Sequence, residues 1–210
     1  INNDIASGSQ KATITHSVTT TDARYSLETV STVSITITDD DSAEVTVTPS
    51  NLTITEGDSK SYTIVLSSQP TTAVTITLTT DTTHVDLDTT TVVFDSSNWS
   101  TPVTINVRAI DDSIDNDNRS INITHTTNGT DSYRSIDDKI VALTLEDNDA
   151  ADINVSNTNL TTSESGTTSY TISLDSQPVT PVTITLTLDN TSAATLSTTV
   201  LRFDSANWSD

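Results

Sequence analysis

The stretch NLTITEGDSKSYTIVLSSQP, residues 51–70, returns as NLTTSESGTTSYTISLDSQP at residues 159–178. A second copy 108 residues downstream marks the chain as an array of repeated units. Within the copies, Tyr62, Ile64 and Leu66, then Tyr170, Ile172 and Leu174, alternate with small or β-branched neighbours at period two, the pattern of a half-buried strand. Glu56-Gly57-Asp58 and Gln69-Pro70 supply turn chemistry at its two ends.

Working outward, FDSSNWS at 94–100 recurs as FDSANWS at 203–209. Towards the N-terminus, Ile14-Thr15-His16 matches Ile123-Thr124-His125, Tyr25 matches Tyr133, and Asp39-Asp40-Asp41 stands where Asp147-Asn148-Asp149 stands later. This frame predicts the C-terminal part of one module over 1–42, a complete module over 43–150, and the N-terminal part of a third over 151–210. Two or three strands cannot bury a face alone, so the partial modules are expected to need their other halves from a longer chain or from an identical neighbour joined head-to-tail.

In the complete module the alternation continues at Val74, Ile76 and Leu78, at Val103, Ile105 and Val107, and at Val141, Leu143 and Leu145. Further strands are expected near 44–48, 51–55, 91–95 and 120–126, and no segment has a helical period. Seven or more short strands in about 108 residues make an all-β, antiparallel β-sandwich. The intervening Thr63, Thr75, Thr77, Thr104 and Thr144 suit the exposed faces, where a β-branched side chain favours extended backbone and its hydroxyl stays hydrated. With only 4% aromatic residues, thin cores are expected.

The net charge of −21 argues against nucleic-acid phosphates and anionic membranes as partners and makes cations the natural ones. Acidic runs such as Asp39-Asp40-Asp41 and Glu146-Asp147-Asn148-Asp149 form either a solvated acidic surface or carboxylates gathered around a cation. No cysteine is present, which excludes disulfides and thiolate metal sites. The longest apolar run, Ile140–Leu143, predicts no membrane insertion and no signal peptide within these residues.

With these residues in view, the module resembles the Calx-beta and Calx-beta-like immunoglobulin-type repeats, especially those of very large bacterial adhesins. The segments that carry the likeness are LTITEGDSKSYTIVLSSQP, VVFDSSNWSTPVTINVRAIDDSIDNDN, and the closing VALTLEDND or VSITITDDD. The resemblance implies tandem immunoglobulin-like modules, secreted or on the cell surface. It also implies Ca²⁺ ligands on Glu56, on Asp111 and Asp112 with Asp115, and on Asp147 and Asp149, all at the pole beside the next module. In the first module the corresponding carboxylates are Asp39 and Asp41, with fewer partners because its loop reads Asn2-Asn3-Asp4. Asn116, Asn118 and Arg119 depart from the family's acidic loop, and Arg119 would repel a cation.

His16 and His125 occupy one repeated position and are expected to be structural, and no G-x-S-x-G elbow is present, so no catalytic activity is expected. Trp99 and Trp208, each following a phenylalanine of the repeat, read as plugs at the edge of the core more readily than as sugar-stacking rings. Sequons at Asn51, Asn98, Asn118, Asn122, Asn128, Asn154, Asn159, Asn190 and Asn207 are candidate sites for N-linked glycans, and O-linked glycans are a further expectation on so Thr-rich a chain. The function expected is a non-catalytic stalk or filament repeat stiffened by Ca²⁺ at its junctions. A module that binds glycans or proteins directly is the alternative.

Overall fold

A computed structural model describes residues 2–209. The described residues are all-β, with fifteen strands and one 3₁₀ turn at Asp131–Tyr133. Strands β1 (Gln10–Ile14) and β2 (Val33–Ile37) pair only with each other. The next nine are β3 (Val45–Thr48), β4 (Asn51–Thr55), β5 (Ser59–Leu66), β6 (Val74–Thr79), β7 (Val85–Leu87), β8 (Thr91–Phe94), β9 (Val103–Ala109), β10 (Arg119–Asn128) and β11 (Lys139–Glu146). They build a sandwich from a four-stranded sheet of order β3-β5-β9-β7 and a five-stranded sheet of order β4-β11-β10-β6-β8. Strands β12 (Ile153–Val155) and β13 (Ile172–Leu174) form one further pair, and β14 (Val182–Thr185) and β15 (Val200–Phe203) another.

The period-two pattern does what it predicts. Tyr62, Ile64, Leu66, Ile105 and Val107 from one sheet meet Ile54, Ile76, Leu78, Ile123, Val141, Leu143 and Leu145 from the other, all at most 3% exposed. Burying a side chain of this size contributes about 1.5–3 kcal/mol, so the alternate residues of a few strands suffice for a stable core. Trp99 is half-buried against the core's edge, and its carbonyl accepts the Leu66 N–H at 3.1 Å; Trp208 does the same for Leu174 at 2.9 Å. The neighbouring sequon side chains, Asn98 and Asn207, hold these loops through Nδ2–H bonds of 3.1 Å to the carbonyls of Val93 and Arg202.

Two features differ from expectation. Strand β7 has only three residues, with Asp86 outward between Val85 and Leu87, too short for a periodic signal. One pair, β4 with β11, is parallel. Pro49 lacks an N–H and interrupts the first strand, so β3 pairs with β5 while β4 crosses to the edge of the other sheet beside β11.

His125 is fully buried. Its Nδ1 lies 3.0 Å from the Lys139 carbonyl and its Nε2 2.8 Å from the Tyr62 hydroxyl. A carbonyl only accepts, so Nδ1 carries the proton and the tyrosine O–H donates to Nε2. Burial lowers the His125 pKa, and the ring and the Tyr62 hydroxyl form a buried core pair.

Candidate metal centre

Strand directions gather the acidic segments at one pole. Strand β4, then β9, then β11 all run towards it, so Glu56, the loop 110–118 and residues 147–149 share it. The turns 67–73, 95–102 and 129–138 share the opposite pole. Glu56 is pinned beside the end of β11 by its N–H, which donates to the Glu146 carbonyl at 2.9 Å. Gly57 turns the chain away at φ +82°, a conformation that side-chain-bearing residues rarely adopt.

Glu56, Asp112 and Asp149 each place a carboxylate oxygen within 4.8 Å of the others'. Glu56 is only 5% exposed, and its Oε2 is buried without a hydrogen-bond partner. Asp147 Oδ1 and Asp149 Oδ2 are likewise buried and unpartnered. Burial pushes the Glu56 carboxyl above its ordinary value, and the charges of Asp112, Asp147 and Asp111 add to this against a partial offset from the Asp112 N–H. Asp149 is raised in the same way by burial and then by Asp147, Asp111, Asp112 and Asp115. None of these carboxylates has a cationic side chain against it. The described ion pairs are Arg24 with Asp22, His84 with Asp81 and Lys139 with Glu44, and Arg119 is not among them.

Other carboxylate oxygens of the expected ligands have protein partners. Asp147 Oδ2 accepts the Asn116 N–H at 2.9 Å, and Asp111 Oδ1 accepts Asn148 Nδ2–H at 3.0 Å. Asp112 Oδ1 accepts the Ile114 N–H at 2.7 Å within its own turn. Asp115 faces the following residues, its Oδ2 accepting the Ala151 N–H at 2.9 Å. Hard carboxylate oxygens in excess of their donors are the donor chemistry Ca²⁺ takes, and Mg²⁺ would demand a stricter octahedron.

Residues 39–41, ahead of the central sandwich, carry a sparser acidic cluster. Asp39, Asp40 and Asp41 can each bring an oxygen within 4.8 Å of the others'. Asp40 was not among the ligands that the resemblance implies; its counterpart Asn148 is a neutral donor that bridges Asp111 and the Glu56 carbonyl. Burial pushes Asp39 up, but the N–H groups of Gly8, Ser7 and Asp41 outweigh it and leave this carboxyl below its ordinary value. Asp41 is raised by burial and by Asp40, Asp39 and Asp4, and its Oδ2 is unpartnered. Glu164, the counterpart of Glu56, is exposed.

Fold and pole together define a β-sandwich of immunoglobulin-like architecture with an acidic, carboxylate-rich end. No protein-family model and no curated protein matches the chain. Among solved structures it is similar to the apo-form Calx CBD1 domain, at 13% identity and a TM-score of 0.42 over 52% of this chain and 100% of that one. It is also similar to the periplasmic chaperone SfaE, at 5% identity and a TM-score of 0.42, covering 50% of this chain and 58% of that one. A chaperone and tip-adhesin complex of CFA/I fimbriae follows at 12% identity and a TM-score of 0.39, covering 54% and 61%. These are likenesses of sandwich fold alone.

Proposed function

We propose that the chain is a non-catalytic structural segment of an extracellular or cell-surface array, with residues 43–150 as its repeating module and a Ca²⁺ site at the pole that faces the next module. The carrying observation is Glu56, nine-tenths buried with an unpartnered oxygen turned into a cluster that holds two further orphaned carboxylate oxygens. Such a group is costly to bury unless a cation joins it. Glu56, Asp112, Asp147 and Asp149 would hold the ion, with Asp111 and Asp115 beside it. Bound Ca²⁺ would supply the positive charge these carboxylates lack, tying the end of β11 to the loop 110–118 and so restraining the step into the following module. The charge of −21 and the absence of a periodic catalytic motif favour a spacer over an enzyme.

The test is thermal unfolding of the full chain in EDTA, then in CaCl₂, with MgCl₂ as control. Extracellular calcium modules bind at roughly 10⁻⁴–10⁻³ M. At a hundredfold excess over Kd, binding to the folded state alone adds about 2.7 kcal/mol. A calcium-specific rise of the melting point that Glu56→Gln abolishes is the expected result. An unchanged melting point at about 10 mM CaCl₂, well above that affinity range, would reduce the pole to an acidic surface.

A further inference from the structure

The two junctions between modules are built the same way. The Gln69 N–H donates to the Asp4 carbonyl at 2.6 Å, and the Gln177 N–H donates to the Ser113 carbonyl at 2.6 Å. Gln69 and Gln177 are the same position of the Ser-Gln-Pro turn, at the pole opposite the acidic one. Asp4 and Ser113 are the same position of the loop that precedes β1 and β10, each followed by an isoleucine in NNDIA and DDSID.

We propose that the Ser-Gln-Pro turn of each module is a docking site for the acidic loop of the module before it, a joint that closes without metal. Ile5 and Ile114 are matched apolar residues of these mostly polar loops, and both are half-buried. Ala6, beside Ile5, is 9% exposed, and its carbonyl accepts the Ser132 hydroxyl across the junction. At the first junction the receiving turn is tied down from within its own module. Tyr133 donates its hydroxyl to the Ser68 carbonyl at 2.7 Å and accepts the Ser68 N–H at 3.1 Å, while Gln69 Nε2–H bonds the Ser96 carbonyl at 3.0 Å. Gly129 makes room for this anchor: a Cβ there would lie 2.8 Å from the Tyr133 Cβ.

Independence from metal follows from the contrast between the loops. The first has Asn2 and Asn3 where the second has Asp111 and Asp112, yet the bond to the next module is the same. Donor and acceptor are both main-chain groups, so the joint tolerates changes of side chain from one repeat to the next. The joint therefore shares its loop with the ion site but closes through main-chain groups that are not among the proposed ligands.

Amide exchange of the full chain in EDTA tests this, read residue by residue by NMR. The Gln69 and Gln177 amides are expected to exchange slowly. Ile5→Ser should speed Gln69 by about tenfold, and Ile114→Ser should do the same at Gln177, the change that a loss of about 1.4 kcal/mol of closing free energy produces. Leu66 and Leu174, bonded within their own modules to Trp99 and Trp208, should be unchanged and so separate undocking from unfolding. Fast exchange of both glutamine amides in EDTA, protection that appears only with CaCl₂, or indifference to both substitutions would each overturn the joint. Failure of calcium to raise the melting point would leave these results untouched.

Discussion

Strands β1–β2 and β10–β11 are one strand pair present twice, in opposite surroundings. Ile14 pairs with Val33 as Ile123 pairs with Val141, and Ala12 with Ile35 as Ile121 with Leu143. His16 Nδ1 reaches the Ser31 carbonyl at 3.0 Å as His125 Nδ1 reaches that of Lys139 at 3.0 Å. Yet Ile14, Val33, Ile35 and Ile37 are 41–52% exposed, whereas Ile123, Val141, Leu143 and Leu145 are at most 1% exposed. Register is thus a local property of the pair, set by the turn and the backbone ladder, while burial is conferred by the strands that cover it.

The strongest way to break this comparison is to shave the same side chain in both places. Ile123→Ala should destabilise the central sandwich by about 2–5 kcal/mol and Ile14→Ala by no more than about 0.5 kcal/mol, measured by urea unfolding. Equal losses would mean that the first hairpin is covered in solution as the second is. Removing the Tyr62 hydroxyl sharpens the contrast: Tyr62→Phe should cost about 1–3 kcal/mol by leaving His125 Nε2 unpaired, and His16 has no such partner to lose.

The smallest effects are those of pH, and their signs oppose. His125 has a folded pKa below its ordinary 6.5, so its contribution is complete above about 6.5 and declines as pH falls from there towards the lowered value. Glu56 is raised above 4.5, so its burial penalises the folded state as pH rises through the raised value and is relieved below 4.5. In EDTA at pH 7, Glu56→Gln should therefore raise the melting point, and it should flatten the profile only in the acid range where Glu56 titrates. His125→Gln should flatten the profile just below 6.5 and leave the acid range unaltered.

Most of the sandwich was legible because alternation of Thr with Val, Ile and Leu leaves each strand a single apolar face. Strand β7 was not, since three residues around an outward Asp86 carry no period. At the pole, the convergence of Glu56, Asp112 and Asp149 followed from the resemblance and from counting strand crossings. Asp40 lies outside the expected set because only the counterparts of Asp147 and Asp149 carry over from the resemblance and its own counterpart is Asn148, yet the irregular backbone after β2 brings three consecutive aspartates together. Asp115 belongs to the ligand set that the resemblance implies, but it faces the following residues, its Oδ2 accepting the Ala151 N–H. The docking turn was visible as a repeat and silent as to purpose, because a main-chain bond leaves no side-chain signature.

The parallel edge pair has a mechanical consequence. Chain enters the central sandwich through β3, passes Pro49 into β4 and leaves from β11, and β4 and β11 lie side by side in the same direction over five paired positions. Tension drawn along the chain therefore slides β4 against β11 lengthwise and loads their cross-links together, where a hairpin pulled from its open end would surrender them one at a time. The crossing of the first strand at Pro49 is what sets this lengthwise geometry.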